Sequence, residues 1–179
     1  MNLSNSFTYI INMSLNNLHS FNEQTYHLIP PEWKFILMSD GSFTQNLNSL
    51  TGQQIITCPT YIKHQYISPK TKIRKVYLQD TTKRNLAFAQ SNWILQINNK
   101  IYETLNNNQP IGKSLIKHQI DIYKDIHEIY YVYSVYLEHI FKSREPIWGR
   151  KYTIYHEYQP ITTIQEFFSP YIISFFNFI

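Results

Sequence analysis

Two charged side chains stand where strand spacing calls for apolar ones. Arg74 alternates with Val76 and Leu78 in the segment from Lys72 to Gln79, so the face that buries those two also carries a guanidinium. A guanidinium withdrawn from water without a partner is strongly destabilising. Its partner is either a carboxylate of the same chain or the carboxylate of a ligand, which the planar fork can hold through two parallel hydrogen bonds. Glu166 sits between Ile164 and Phe168 at the same spacing, on a face that should be buried. Apolar surroundings disfavour the charged form of a carboxyl group, which suits Glu166 to work as a general acid. A plain Arg74–Glu166 salt bridge satisfies the same pattern without any chemistry, and the residues leave both readings open.

Other chemistry-bearing patterns fail. His127-Glu128 opens like a zinc-protease helix, but Tyr131 occupies the place of the second histidine, so no metal is expected there. Gly41, Gly52, Gly112 and Gly149 are isolated and build no phosphate loop. Cys58, followed by Pro59, reads as a buried inert thiol. Lys70, Lys72 and Lys75 read as the solvated outer side of a strand. No metal site or phosphate loop is expected from these residues.

The elements that must position Arg74 and Glu166 follow from punctuation and period. Residues 1–30 are polar and aperiodic, a leader closed by Pro30-Pro31, and a single domain spans 31–179. Short helices are predicted from Glu32 to Met38 and from Phe43 to Leu50, separated by an Asp40-Gly41-Ser42 turn. A strand from Gln54 to Tyr66 is interrupted by Pro59. Strands from Lys72 to Gln79 and from Leu86 to Ile97 form a hairpin across Asp80 to Arg84. After a loop at Asn106 to Pro110, apolar residues from Leu115 to Ile140 recur at helical spacing, predicting one long helix from Lys113 to Phe141. Two last strands run from Arg150 to Glu157 and from Ile161 to Phe168. The order predicts an α+β fold, a single antiparallel sheet of about six strands with helices packed against it.

Composition narrows the function classes. The chain has 179 residues, 43% hydrophobic and 16% charged, which excludes disorder. One cysteine excludes an intramolecular disulfide framework and a cysteine-rich zinc site. A formal charge of +4 favours an anionic ligand without demanding nucleic acid. No secretory leader is expected at the N-terminus, and the apolar stretch from Phe167 to Ile179 is too short for a transmembrane helix. Heavy use of Asn, Ile, Lys, Tyr and Phe fits AT-rich codons, as in an organelle genome.

Five short motifs in order resemble the chorismate pyruvate-lyase family over about residues 31 to 170. They are Ser39-Asp40-Gly41-Ser42-Phe43-Thr44 following Trp33, Ile73 to Leu78, Pro110-Ile111-Gly112, Trp148-Gly149-Arg150, and Glu166-Phe167-Phe168-Ser169-Pro170 preceded by Pro160-Ile161. The resemblance implies a chorismate lyase-like fold and a cofactor-independent lyase that converts chorismate to 4-hydroxybenzoate and pyruvate. It also implies that Arg74 binds the ring carboxylate, aided by the backbone N–H groups of Phe43 and Ile111, with Glu166 facing the hydroxyl end of the ring as the catalytic residue. Lys75 and Phe43 depart from the family's usual side chains. Arg150 is read as structural or as a substrate contact. Implied too are a plastid-encoded origin with a stromal location (otherwise cytoplasmic), a monomer, and a small-molecule substrate with no nucleic-acid or membrane partner.

Two other classes compete. A non-catalytic module binding a small aromatic acid, like the effector domains of transcription regulators, would keep the fold and pocket. A nucleic-acid binder would use the tyrosines, but the densest group of them, five of the fifteen, lies between 123 and 136 at helical spacing, which reads as packing.

Overall fold

The computed structural model describes residues 7–15, 26–60, 65–68, 71–94 and 111–176. In chain order these form β1 (Thr8–Ser14), α1 (Pro31–Leu37), α2 (Phe43–Thr51), β2 (Ile56–Pro59), β3 (Gln65–Ser68), β4 (Thr71–Gln79) and β5 (Asn85–Ile94). There follow α3 (Ile111–Lys117), β6 (Tyr123–Tyr133), α4 (Val135–Phe141), β7 (Ile147–His156), β8 (Gln159–Phe168) and a 3-10 helix (Pro170–Phe175). The strands make one eight-stranded antiparallel sheet in the order β1-β6-β7-β8-β5-β4-β2, with β3 also paired to β4. The fold is therefore α+β with a single antiparallel sheet, as expected, but with more strands. Expected features at 61–64, at Lys70, beyond Ile94 and in the Asn106 to Pro110 loop lie outside the described residues.

One element is corrected outright. The helix expected from Lys113 to Phe141 is instead α3, β6 and α4. Register explains the misleading spacing: Ile126 pairs with Tyr152 but Glu128 with Lys151, leaving His127 as an extra residue. The bulge changes the alternation, so Ile126 and Ile129, three apart, fall on one face and imitate a helical repeat. The run from Ile129 to Tyr133 is β-branched and aromatic, which suits a pleated surface, and Ile129, Tyr130 and Val132 within it are buried. Within the polar leader, β1 pairs with β6 at the sheet edge.

Three clusters hold the sheet and its helices. On one face Trp33, Ile36 and Leu37 of α1 and Phe43 and Leu47 of α2 pack on Leu78, Ala87, Trp148 and Phe168. Leu137 and Phe141 of α4 pack with Phe88, Val132, Ile147 and Phe167. Leu115 of α3 packs with Trp93, Tyr152, Ile154 and Ile164. Each fully buried large apolar side chain contributes about 1.5–3 kcal/mol relative to exposure. Strand ends are set by tight turns: β7 and β8 join through Glu157 and Tyr158 alone, both at positive φ (47° and 62°), as the twist of a two-residue hairpin requires.

Candidate functional site

The sheet rows that carry the site can be followed strand by strand. Arg74 pairs with Ser91, Ser91 with Ile164, Ile164 with Tyr152, and Tyr152 with Ile126. One row along, Val76, Ala89, Glu166 and Arg150 are paired in sequence. These rows floor a cavity of about 440 Å³ roofed by the Asp40 to Thr44 turn and by α3. Arg74, Phe43, Ile111 and Glu166, the four residues singled out from sequence, all line it. Its walls are largely apolar, with Val76, Leu78, Leu115, Ile154 and Ile164 among them.

Phe43 and Ile111 each begin a helix, so their backbone N–H groups lie outside the helices' own hydrogen-bond ladders. The Phe43 ring itself belongs to the core, edge-on to Phe168 at 4.7 Å. The two helix starts are pressed together at Gly112. A Cβ there would lie 2.7 Å from Ser42 Oγ and 2.9 Å from Ser42 Cβ, which explains why a residue without a side chain is needed.

Among the described residues, Arg150 and Tyr152 donate to the Glu166 carboxylate. Arg150 Nε donates to Oε2 at 2.9 Å, and the Tyr152 hydroxyl donates to Oε1 at 2.9 Å. Burial, and then the Glu166 charge, push the Tyr152 hydroxyl well above its ordinary range, so it stays a neutral donor. Arg150 is fully buried, and its Nη1 donates to the carbonyls of Ile36, Leu37 and Ser39 at 2.9–3.1 Å. The first two carbonyls end α1, where a helix leaves acceptors unpaired, and Ser39 lies just beyond it. Of the two sequence readings of Arg150, this geometry carries the structural one: it locks α1 to β7 and fixes the Glu166 carboxylate.

Lys124 was missed from sequence. It lines the cavity from β6, donates from Nζ to the carbonyls of Ser39 and Gly41 at 3.2 Å each, and lies 4.8 Å from the Tyr152 ring centre. Burial, with Arg150 adding, lowers its amine to about 8 against the opposing pull of Glu166 and Asp40. Once β6 is known to be a strand, the argument that found Arg74 finds Lys124, a cation alternating with Ile126.

The remaining candidates are placed elsewhere. His127 and Glu128 are on β6, not a helix; His127 Nε2 meets Thr153 Oγ1 at 2.8 Å, and Glu128 binds Lys151 at 2.7 Å and the Tyr130 hydroxyl at 2.6 Å. Among the described residues no group of three His, Cys, Asp or Glu side chains could hold a metal ion. Cys58 is half-buried rather than buried, its thiol donating to Gln79 Oε1 at 3.0 Å. Lys72 is buried on Arg74's own face rather than solvated, and burial, then Arg74, lowers its amine.

A family model described as Chorismate pyruvate-lyase Rv2949c-like matches residues 37–176. The chain belongs to this family. The match takes in both helix starts, β4, β6, β7 and β8, hence the whole cavity. Among relatives, a protein named Uncharacterized protein ycf21 from Antithamnion sp. is 44% identical over 164 residues, 90% of this chain and 91% of that protein. Its namesake from Porphyra purpurea is 37% identical over 151 residues, 82% and 86% of the two chains. Among solved structures, PhnF from Mycobacterium smegmatis superposes with a TM-score of 0.55 at 9% identity. It is covered over 65% of its length by 74% of this chain, a likeness of fold alone. Among the described residues no helix is long and apolar enough to cross a membrane.

Proposed function

We propose that the protein is a chorismate pyruvate-lyase that releases 4-hydroxybenzoate and pyruvate. The observation that carries this reading is the convergence of Arg74, the N–H groups of Phe43 and Ile111, and Glu166 on one cavity within the family match. In the reaction the bond between the ring and the enolpyruvyl oxygen breaks, and the electron pair leaves with that oxygen. A proton is lost from the adjacent hydroxyl-bearing ring carbon, which makes the ring aromatic. The enolpyruvate takes up a proton and becomes pyruvate. Arg74 holds the ring carboxylate, each charge-assisted hydrogen bond contributing about 1.5–3 kcal/mol. Both Glu166 oxygens accept from donors of the chain, so at the hydroxyl end this geometry favours an acceptor, drawing a proton towards itself, over the general acid expected from sequence. The apolar walls exclude water and strengthen these contacts. The protein acts as a monomer on a small molecule, in the plastid stroma, a location supported by its algal ycf21 relatives.

The test is incubation of the purified protein with chorismate in EDTA, following ultraviolet absorbance and pyruvate. Equal amounts of pyruvate and 4-hydroxybenzoate are expected, with turnover lost in Glu166→Gln while 4-hydroxybenzoate still binds. Binding of 4-hydroxybenzoate without turnover by the unmodified protein would replace the lyase with a binding module. Full activity in Glu166→Gln would remove Glu166 from the mechanism.

A further inference from the structure

Arg74 and Lys124 approach the cavity from opposite sides. β4 and β6 are separated by β5, β8 and β7, four strand spacings of about 4.8 Å, or about 19 Å between backbones, which the two long side chains shorten. Lys124 lies on β6 opposite Ile154, on the face that carries Ile126, Tyr152 and Arg74. Two of its three N–H donors reach the Ser39 and Gly41 carbonyls, and the ammonium keeps a third. A single carboxylate on Arg74 makes no use of this second cation.

We infer that Lys124 is a second anion anchor, and that the cavity is built for a ligand with two carboxylates, one held by Arg74 and the other by Lys124. The inference rests on the lyase reading, in which the second carboxylate is that of the enolpyruvyl group. It makes Lys124 a residue that distinguishes substrate from product. Chorismate carries both carboxylates, whereas 4-hydroxybenzoate keeps only the one on Arg74. Around the ammonium, Asp40 of the roof turn and Glu166 of β8 favour its charge, while Arg150 of β7 opposes it; Asp121 also lines the cavity, and Arg74 faces it from β4. With its amine lowered to about 8, the ammonium of the free protein discharges as pH rises through that value, and anion capture weakens with it.

The experiment compares chorismate and 4-hydroxybenzoate binding by calorimetry in a Glu166→Gln background, with Lys124, Lys124→Met and Lys124→Arg. Lys124→Met is expected to weaken chorismate about 10- to 100-fold, the loss of one charge-assisted contact, and to leave 4-hydroxybenzoate within about twofold. Lys124→Arg should restore chorismate binding and remove its weakening in alkaline solution, because arginine keeps its charge; with the Glu166 carboxylate absent from this background, that weakening sets in below about pH 8. Equal loss of both ligands in Lys124→Met would show that Lys124 only holds the turn, and would overturn the anchor, as would no loss of either. The two readings fail separately. Absence of pyruvate from the unmodified protein, with a Lys124-dependent preference for chorismate, would sink the lyase and keep the anchor. Pyruvate release with a preference indifferent to Lys124 would do the reverse.

Discussion

The two arginines of the site's face, Arg150 and Arg74, do opposite work with the same guanidinium. Arg150 is fully buried and spends its Nε and Nη1 donors on Glu166 and on three carbonyls at and just beyond the end of α1, while its buried Nη2 finds no hydrogen-bond partner among the described residues. Arg74, three strands away, is only partly buried and lines the cavity. The first is a clamp whose removal leaves an unpaired carboxylate inside the protein. The second lines the cavity, in surroundings that do not require full withdrawal from water. Burial thus divides the two roles, and substitutions on either side can test that division through melting temperature and binding together.

The largest loss of stability is expected for Arg150→Ala. Breaking a buried pair by deleting one partner costs about 3–5 kcal/mol, and the freed α1 carbonyls add to it. For a chain of this length that is a fall of roughly 10 °C in melting temperature, read by calorimetry. A fall under about 2 °C would make the clamp decorative. Next comes Gly149→Ala, beside the clamp. Its Cβ would lie 2.6 Å from Phe167 Cδ1 and 2.7 Å from the Glu166 carbonyl oxygen, so β8 must shift just where Glu166 is held. Overpacking of this kind costs about 1–3 kcal/mol, and turnover should fall further than stability because the carboxylate moves with its strand.

The clamp side and the ligand side were not equally legible in the sequence. Clean alternation in β4 and β8 exposed Arg74 and Glu166, and the turn chemistry of Asp80 to Arg84 marked the hairpin between β4 and β5. The β6 side was hidden by two physical causes. A bulge at His127 broke the period of two, and helix ends lacked the glycine that usually signals them. With four glycines in the chain, Gln119 after α3 and Lys142 after α4 take the left-handed conformation instead (φ 52° and 53°). Reading one helix across these stops concealed Lys124. The Arg150–Glu166 pairing was equally out of reach, since adjacency across β7 and β8 depends on register rather than on either segment's pattern.

A smaller effect is expected at the β4–β5 turn, remote from both arginines. Asp80 is buried, which alone would raise its carboxyl, but donors from Thr82 and Arg84, with the nearby Arg84 charge, outweigh burial and hold it below the ordinary range. A carboxyl lowered on folding contributes stability above its unfolded value of about 3.9, and that contribution disappears as pH falls through the folded value. Asp80→Asn keeps an acceptor but loses the charge, for about 1 kcal/mol at pH 7. The gap in melting temperature between the two proteins should close in acid; a gap that widened as pH fell below about 4 would contradict the sign.

The smallest stability change, and the sharpest contrast with Arg150→Ala, belongs to Arg74→Ala. Arg74 is partly exposed, and pairs in that setting contribute at most about 1 kcal/mol, so the melting temperature should move by only a few degrees. Binding of 4-hydroxybenzoate should nevertheless weaken at least about 10-fold, because the lost hydrogen bonds are charge-assisted and form in an apolar-walled cavity. The pair of measurements separates the roles more firmly than either alone. A large fall in melting temperature would make Arg74 a second clamp, and the ligand's carboxylate would then need another partner. An unchanged melting temperature with unchanged binding would mean that the ligand's carboxylate rests on the helix starts at Phe43 and Ile111 and on Lys124, moving the anion site from the β4 wall to the roof of the cavity.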